Sequence, residues 1–457
     1  SIYTVFSIFI LNLGGVGMVN DAVSLEKQTV RKVTRRIIPF VFFLYIISYL
    51  DRANIGYAAL EMNDALGLTS QVFGLATGIF FIGYFLFEVP SNILMEKFGA
   101  RVWIARILIT WGIISMATGF VQEASHLYII RFLLGVAEAG FFPGIVLYLT
   151  YWFRAKDHAK TIAMLMSAIP VSYIIGAPLS TWIMDNIHWF NVEGWRWMFL
   201  IEGAPAVIFG IVTLFYLADK PEDAKWLTEE EKNWLIAELE KERVKEADGK
   251  KGSAKHSGHI EALRDAKVWY FAIIYFVYIA GTLGVSYWMP QIIDGMSASL
   301  SNTQIGLIAT IPYIVATIAM NWWSARSDRK GERWLHAALP LLVGAITLIG
   351  AGVTLQPVLG MLFITLSLTG MYCYKGPFWA LPTTMLNPAK AAVGIAVVNS
   401  IGNLGGFIGP YAVGALKDLT GGTSAGLYFL SGLLVFAFFM LLVKREKPRA
   451  DIQKQAV

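Results

Sequence analysis

Apolar runs of roughly twenty residues, each long enough to cross a hydrocarbon layer of about 30 Å as a helix, recur twelve times along this chain. They cover 37–59, 72–95, 101–121, 127–150, 161–184, 197–217, 268–290, 304–325, 335–355, 358–385, 391–416 and 425–443. Lipid offers no partner for backbone N–H and C=O groups, so continuous runs of this length form helices rather than barrel strands. The expected fold class is an all-α membrane protein of twelve transmembrane helices. Composition agrees: the chain is 56% apolar and 15% charged, whereas soluble domains carry about 25% charged residues. The net charge of +5 does not mark a nucleic-acid partner, because the basic residues sit in short clusters between apolar runs. A single cysteine, Cys373, excludes an intramolecular disulfide and a multi-cysteine metal site. No metal cluster, nucleophile motif or phosphate loop stands out, so no enzyme and no cofactor are expected.

Orientation follows from Lys and Arg. Alternate connections carry Lys97 and Arg101, then Arg154, Lys156 and Lys160, then Arg326, Arg329, Lys330 and Arg333, then Lys390. The opposite loops Glu61 to Ser70, Gln122 to His126 and Ile292 to Thr303 have none. Both termini are therefore expected on the cytoplasmic side of a cell membrane, since Lys27, Arg31, Lys32, Arg35 and Arg36 precede the first run and Lys444, Arg445, Lys447 and Arg449 follow the last. Residues 1–30 read as an N-terminal extension whose basic segment begins at about 18, with Met18 the expected biological start. Residues 31–218 form a first six-helix unit, 219–267 a cytoplasmic linker, 268–443 a second six-helix unit and 444–457 a cytoplasmic tail. Within the linker, Thr228-Glu229-Glu230-Glu231 has capping-box spacing and Trp234, Leu235 and Leu239 follow at helical intervals, which predicts an amphipathic surface helix. Gly249 to Gly258 is expected to be a flexible linker. One constant offset, the step from Glu96 to Asp328, lays Glu96 to Arg101 on Asp328 to Arg333, Pro178 on Pro410 and Ser167 on Asn399, which predicts a six-plus-six duplication.

Ionisable residues inside a membrane are functional candidates, because inserting one at a helix centre costs roughly 2.5–3.5 kcal/mol. This chain places Asp51, Arg52, Glu88, Glu138 and Lys375 there, with Arg131 and Arg106 nearer helix ends. The planar guanidinium of Arg52 suits bidentate capture of a carboxylate, and Tyr45 and Tyr49 share its helix face. The competing reading is a structural ion pair with Asp51 or Glu138. Glu138 sits among Gly135, Ala139, Gly140 and Gly144, small residues that allow close helix packing, and a buried carboxyl that holds or releases a proton is what a reversible proton carrier needs. Asp51 points about 100° away from Arg52 around the helix. Lys375 adds a cation in the second half, as an acid with two polar ends would require, or else balances an acid. Asn399 and Asn403, one turn apart, share a face toward substrate or a neighbouring helix. Glu88, beside Pro90 and Asn92, reads as structural or gating.

Several longer strings resemble a known family. They are Tyr49-Leu50-Asp51-Arg52-Ala53-Asn54, Gly83 to Asn92 (GYFLFEVPSN), Arg131 to Gly144 (RFLLGVAEAGFFPG), Gly376 to Pro382 (GPFWALP) and Asn399 to Gly406 (NSIGNLGG). Over about Arg31 to Val443 the sequence is similar to the major facilitator superfamily, within it the anion:cation symporter branch. The resemblance implies two pseudo-symmetric six-helix bundles and proton-coupled uptake, by alternating access, of an acid such as hydroxyphenylacetate, phthalate, tartrate or a sugar acid. It implies that Asp51 and Glu138 take up the protons and that Tyr84 and Trp379 line the cavity. The superfamily's loop signature, Gly then Asp-Arg-x-Gly-x-Arg, fits Asp328, Arg329, Gly331 and Arg333, whereas the first copy has Glu96-Lys97 before Arg101; both loops are expected to gate. The expected partners are a small organic acid, protons and the lipid bilayer, with a proton gradient as driving force, no nucleic acid, and a monomer as the working unit. Proton-driven efflux of drugs or metabolites is the alternative on the same fold.

Overall fold

The computed structural model describes residues 25–250, 263–296, 299–354, 356–386 and 388–443. The expected extension with its start at Met18, the Lys-, Gly- and Ser-rich stretch from 251, the tail 444–457 and the side chains of Lys156, Lys160 and Lys390 lie outside the described residues. Among these there are twelve membrane-length helical spans and no strands. In chain order the spans are 1, Leu25–Leu66; 2, Ser70–Phe98; 3, Ala100–Phe120; 4, Ala124–Thr150; 5, Met164–Asn186; and 6, Gly194–Tyr216. They continue as 7, Ala266–Met296; 8, Asn302–Lys330; 9, Trp334–Val353; 10, Pro357–Thr383; 11, Val393–Thr420; and 12, Ser424–Val443.

Spans 1–6 and 7–12 form two pseudo-symmetric six-helix bundles. Spans 2 and 8 show the relation: each has 29 residues, and the step from Glu96 to Asp328 also carries both bounds of span 2 onto those of span 8. Both begin at a hydroxyl cap: Thr69 accepts from Val72 N, and Ser301 forms a full capping box with Gln304. Side chains such as Phe215 (85% exposed) and Val358 (86%) face outward, which is tolerable only against lipid.

The bundles close on each other at the end opposite the chain termini. There Asp418 of span 11 accepts from the backbone N–H groups of Ser70 (3.0 Å) and Gln71 (2.7 Å) at the start of span 2. Its counterpart, Asp185 of span 5, accepts from the backbone N–H (2.7 Å) and hydroxyl (2.6 Å) of Thr303 at the start of span 8. Each carboxylate meets the positive end of a helix in the other bundle, where free N–H groups favour an anion. Just inside, the helices touch through backbone. A Cβ on Gly74 would lie 2.6 Å from the carbonyl of Pro410, and one on Gly306 would lie 2.5 Å from that of Ala177. Gly74 and Gly306 are related by the same repeat offset.

At the other end a helix over Glu229–Lys250 packs on the first bundle. Thr228 and Glu231 form reciprocal cap bonds (2.9 and 3.2 Å), Leu235 and Leu239 are buried, and Lys32 pairs with Glu231 at 2.7 Å. Burial works against the Glu231 charge, but the Lys32 ammonium and the Thr228 donors outweigh it and hold the carboxyl below its usual range.

Span 4 is broken where it matters most. Its first helix ends at Glu138, Gly140 takes φ 84°, and a second helix runs Phe141–Thr150. Only glycine adopts that conformation without strain, and a Cβ there would also meet Ser91 Oγ at 2.4 Å. Span 11 is interrupted likewise, between Asn403 and Gly405. Breaks of this kind leave backbone groups and side-chain ends at the centre of a bundle.

Candidate functional site

Ser48 and Arg52, one turn apart on span 1, both face the end of the first helix of span 4. The Glu138 Oε1 accepts from Arg52 Nε at 2.8 Å and from Ser48 Oγ at 2.6 Å. Glu138 is 1% exposed, but the Arg52 side chain retains 14%, so its remaining N–H groups stay within reach of a ligand. Three rings surround the guanidinium, those of Tyr49 (5.1 Å), Tyr84 (5.1 Å) and Phe80 (5.4 Å).

From there a file of tyrosines crosses between the bundles. Tyr49 stands 6.5 Å from Tyr173, which stacks on Tyr313 at 4.4 Å and 9°, and Tyr313 lies 6.2 Å from Tyr372. The Lys375 ammonium sits 4.7 Å over the Tyr372 ring. The structure thus brings together Arg52, Tyr49, Tyr84 and Glu138 and connects them through phenol rings to Lys375 of the other bundle. The rings of Tyr173, Tyr313 and Tyr372 are buried here, so the part of this arrangement open to an anion is the Arg52 end of the file.

Other candidates lie elsewhere. Asp51 does not join Arg52; it turns into the first bundle, where Trp111 Nε1 (2.6 Å), Ser115 Oγ (3.0 Å) and Asn54 Nδ2 (3.4 Å) donate to it. Of the two acids considered as holders of Arg52, the geometry leaves Glu138. Arg131 forms no ion pair among the described residues; it is 1% exposed, lies 5.1 Å over Phe80, and its Nε and Nη2 lack partners. Tyr45 is buried behind Tyr49 (5.1 Å) and Phe142 (5.7 Å). Trp379 packs on Tyr275 at 4.8 Å inside the second bundle, and Asn399 and Asn403 are half-buried in span 11. Glu88 bridges the bundles, accepting from Ser400 Oγ at 2.8 Å.

The two loops make contacts within their own bundles. Arg101 bonds Asp219 through its backbone N–H (2.8 Å) and pairs with it through Nε (3.4 Å), while Glu96 is exposed. Arg333 pairs with Asp328 and reaches Ser327 Oγ at 3.3 Å, and Arg329 Nε bonds the Ala325 carbonyl at 3.4 Å.

Sequence reasoning missed Ser48, Tyr173, Tyr313, Tyr372 and Glu202. Ser48 and the three tyrosines fall well inside predicted spans, away from the interfaces where Tyr is expected as a belt residue, and Glu202 lies five residues into the run 197–217, where its charge was the available signal.

The sequence profile of the Major Facilitator Superfamily matches residues 41–410. A protein of Agrobacterium vitis named "Putative tartrate transporter" is 48% identical over 93% of this chain and 93% of its own. A "Quinolone resistance transporter" of Acinetobacter baumannii is 38% identical over 94% of this chain and 99% of its own. Among solved structures, the partially occluded inward-open form of the xylose transporter XylE from Escherichia coli matches with a TM-score of 0.71 at 14% identity, covering 92% of this chain and 99% of that one.

Proposed function

We propose, on the premise that the chain belongs to the Major Facilitator Superfamily, that it takes up a small organic dicarboxylate together with protons, a tartrate-like hydroxy acid being the class its site fits best. That the protein is a membrane transporter and not an enzyme follows from the family and the fold. The substrate and the coupling are our reading. The observation that carries it is Arg52, held by Glu138 Oε1 at 2.8 Å yet still partly open.

An ionised Glu138 competes with the substrate for the guanidinium and repels an approaching anion. Protonation removes the competitor's charge, and Arg52 can turn its fork to one substrate carboxylate. The hydroxyls of Tyr49 and Tyr84 beside Arg52 suit hydroxyls on the carbon chain, and Lys375 is assigned to the second carboxylate once the bundles close around the substrate. Proton and anion then favour each other's binding, which is the thermodynamic content of symport. With the termini on the cytoplasmic side, as the Lys and Arg distribution argues, the end closed by Asp185 and Asp418 is the outer one. Asp51 is assigned as a second proton site that acts from inside the first bundle rather than on Arg52 directly.

Uptake of labelled tartrate into proteoliposomes under an inward proton gradient tests the reading. Arg52→Ala should abolish saturable accumulation. Glu138→Gln should retain exchange of tartrate across the membrane but lose accumulation against a gradient; if it still concentrates substrate, the coupling role of Glu138 is wrong.

The relative named for quinolone resistance favours a second reading, proton-driven export. A quinolone also carries a carboxylate, so Arg52 would serve either cargo. Direction separates them: export predicts that a proton gradient drives substrate out of the compartment the protons enter.

A further inference from the structure

Two acids in the interior of the first bundle lie on either side of Asn54. Asp51, with its three donors, is satisfied as a carboxylate. Glu202 of span 6 accepts from Ser180 Oγ at 2.6 Å and lies against Asn54. Its Oε2 and the Oδ1 of Asn54 are both buried without a partner, on residues that are 5% and 0% exposed. Every donor to the two carboxyls belongs to a neutral side chain, and neither acid forms an ion pair among the described residues. The titratable groups facing them from the packed elements are Glu138 and Arg131 of span 4 and Tyr57 of span 1. The Glu138 carboxylate is already taken by Arg52.

Glu202 Oε2 and Asn54 Oδ1 are each a buried acceptor without a donor, on side chains that lie against each other, and a proton on Glu202 would turn its oxygen into a donor beside Asn54. Like charges this close in a low-dielectric interior do not both ionise, as paired carboxyls elsewhere show. A metal ion fits less well, since the Asp51 oxygens face N–H and O–H donors. Nor does the fold need a carboxyl there. At the positions related by the repeat offset, the second bundle has Leu434 for Glu202 and Leu283 for Asp51, and Leu434 is fully buried against Gly281 and Gly344.

We propose that Glu202 is a further proton-carrying residue of the transport cycle, acting with Asp51 across Asn54 as one unit that keeps at most one negative charge. The unit takes one proton from water on the outer side and returns it to water on the inner side; no other bond is made or broken. In the state seen here the proton resides on Glu202 and the charge on Asp51. This rests on the proton-coupled uptake proposed above, so that is measured first: wild-type protein that shows no proton-driven tartrate accumulation sinks both.

Given a coupled wild type, Glu202→Gln in proteoliposomes is the test. The amide supplies Asn54 Oδ1 with a donor and holds the unit's second site permanently neutral. Tartrate exchange without a gradient is expected to stay within about twofold of wild type, while the proton concentration giving half-maximal uptake moves at least tenfold. A profile that overlays wild type makes Glu202 structural and overturns the proposal. Uptake driven by sodium at constant pH and lost in the variant overturns the proton assignment instead. Should Glu202→Gln fail to fold, Ser180→Ala, which removes the one hydroxyl donor to Glu202, must move the same half-maximal point; an unmoved profile there counts against the proposal equally.

Discussion

Ser48 and Arg52 both donate to Glu138 Oε1, and in the reading proposed above that shared oxygen sets what Arg52 is free to bind. A hydrogen bond to a charged group contributes about 1.5–3 kcal/mol, so the Ser48 hydroxyl helps fix the Glu138 oxygen that, in the proposed reading, competes with substrate for Arg52. Ser48→Ala should therefore change the pH dependence of tartrate uptake while leaving the KM at saturating proton concentration within about threefold, since at that limit Glu138 is already neutral. Arg52→Lys should raise KM at least tenfold, about 1.4 kcal/mol or more, because an ammonium cannot offer the parallel N–H pair that matches a carboxylate. Equal KM values for Arg52→Lys and wild type would remove the fork from the argument. A charge in the middle of an apolar run is legible in a sequence, which is why Arg52, Glu138 and Asp51 stand out as candidates there. Which acid holds the arginine was not, because it depends on where span 4 breaks and how it docks. The ring file from Tyr49 to Tyr372 was invisible for the same reason: its steps alternate between helices that meet only in the folded molecule.

Helices add two further consequences. The break after Glu138 depends on Gly140, whose left-handed conformation costs any residue with a Cβ about 1–2 kcal/mol, with the contact to Ser91 added. Gly140→Ala should lower the melting temperature of the detergent-purified protein and weaken tartrate uptake together, since the same turn aims Glu138; a variant with wild-type melting and uptake would mean the break is incidental. The surface helix Glu229–Lys250 has its own pH response. The Glu231 carboxyl titrates lower in the folded chain than in the unfolded one, so its contribution is complete above the unfolded value of about 4.3 and is lost as pH falls through the folded one. Lys32 is 41% exposed, which limits the pair to at most about 1 kcal/mol. Hydrogen-exchange protection of residues 229–242, relative to the intrinsic rate at each pH, should thus fall on acidification below about pH 4, and in Glu231→Gln it should be reduced already at neutral pH. This element was legible because the Thr228 capping box is purely local. The linker read from Gly249 overlaps the last two residues of this helix, which ends at Lys250, since the Gly- and Lys-rich composition there does not show where helical pairing stops.

The molecule as a whole is a pair of bundles that must part at one end when they close at the other, and the closed end is held by two equivalent contacts. Asp185 on Thr303 and Asp418 on Ser70 and Gln71 each set a carboxylate on the first turn of a helix from the opposite bundle. A charge at a helix N-terminus contributes about 0.3–1 kcal/mol when exposed and up to about 2 kcal/mol when partly buried. Removing both therefore shifts a two-state equilibrium by about 1–4 kcal/mol, enough to change the dominant state. The twelve spans and their internal repeat could be read from hydropathy and a few shared residues. These contacts could not, because an Asp at a helix end looks like any loop acid until the other bundle supplies its partner. In Asp185→Asn with Asp418→Asn, spin labels at Leu66→Cys and Ser299→Cys should report a longer distance across that end than in the parent chain, with the buried Cys373 replaced in both. Gly306→Leu should do the same by a different route, since its side chain cannot fit against Ala177 and Thr181. If charge removal leaves the distance distribution unchanged while Gly306→Leu widens it, packing alone closes this end and the carboxylates serve only to cap their helices.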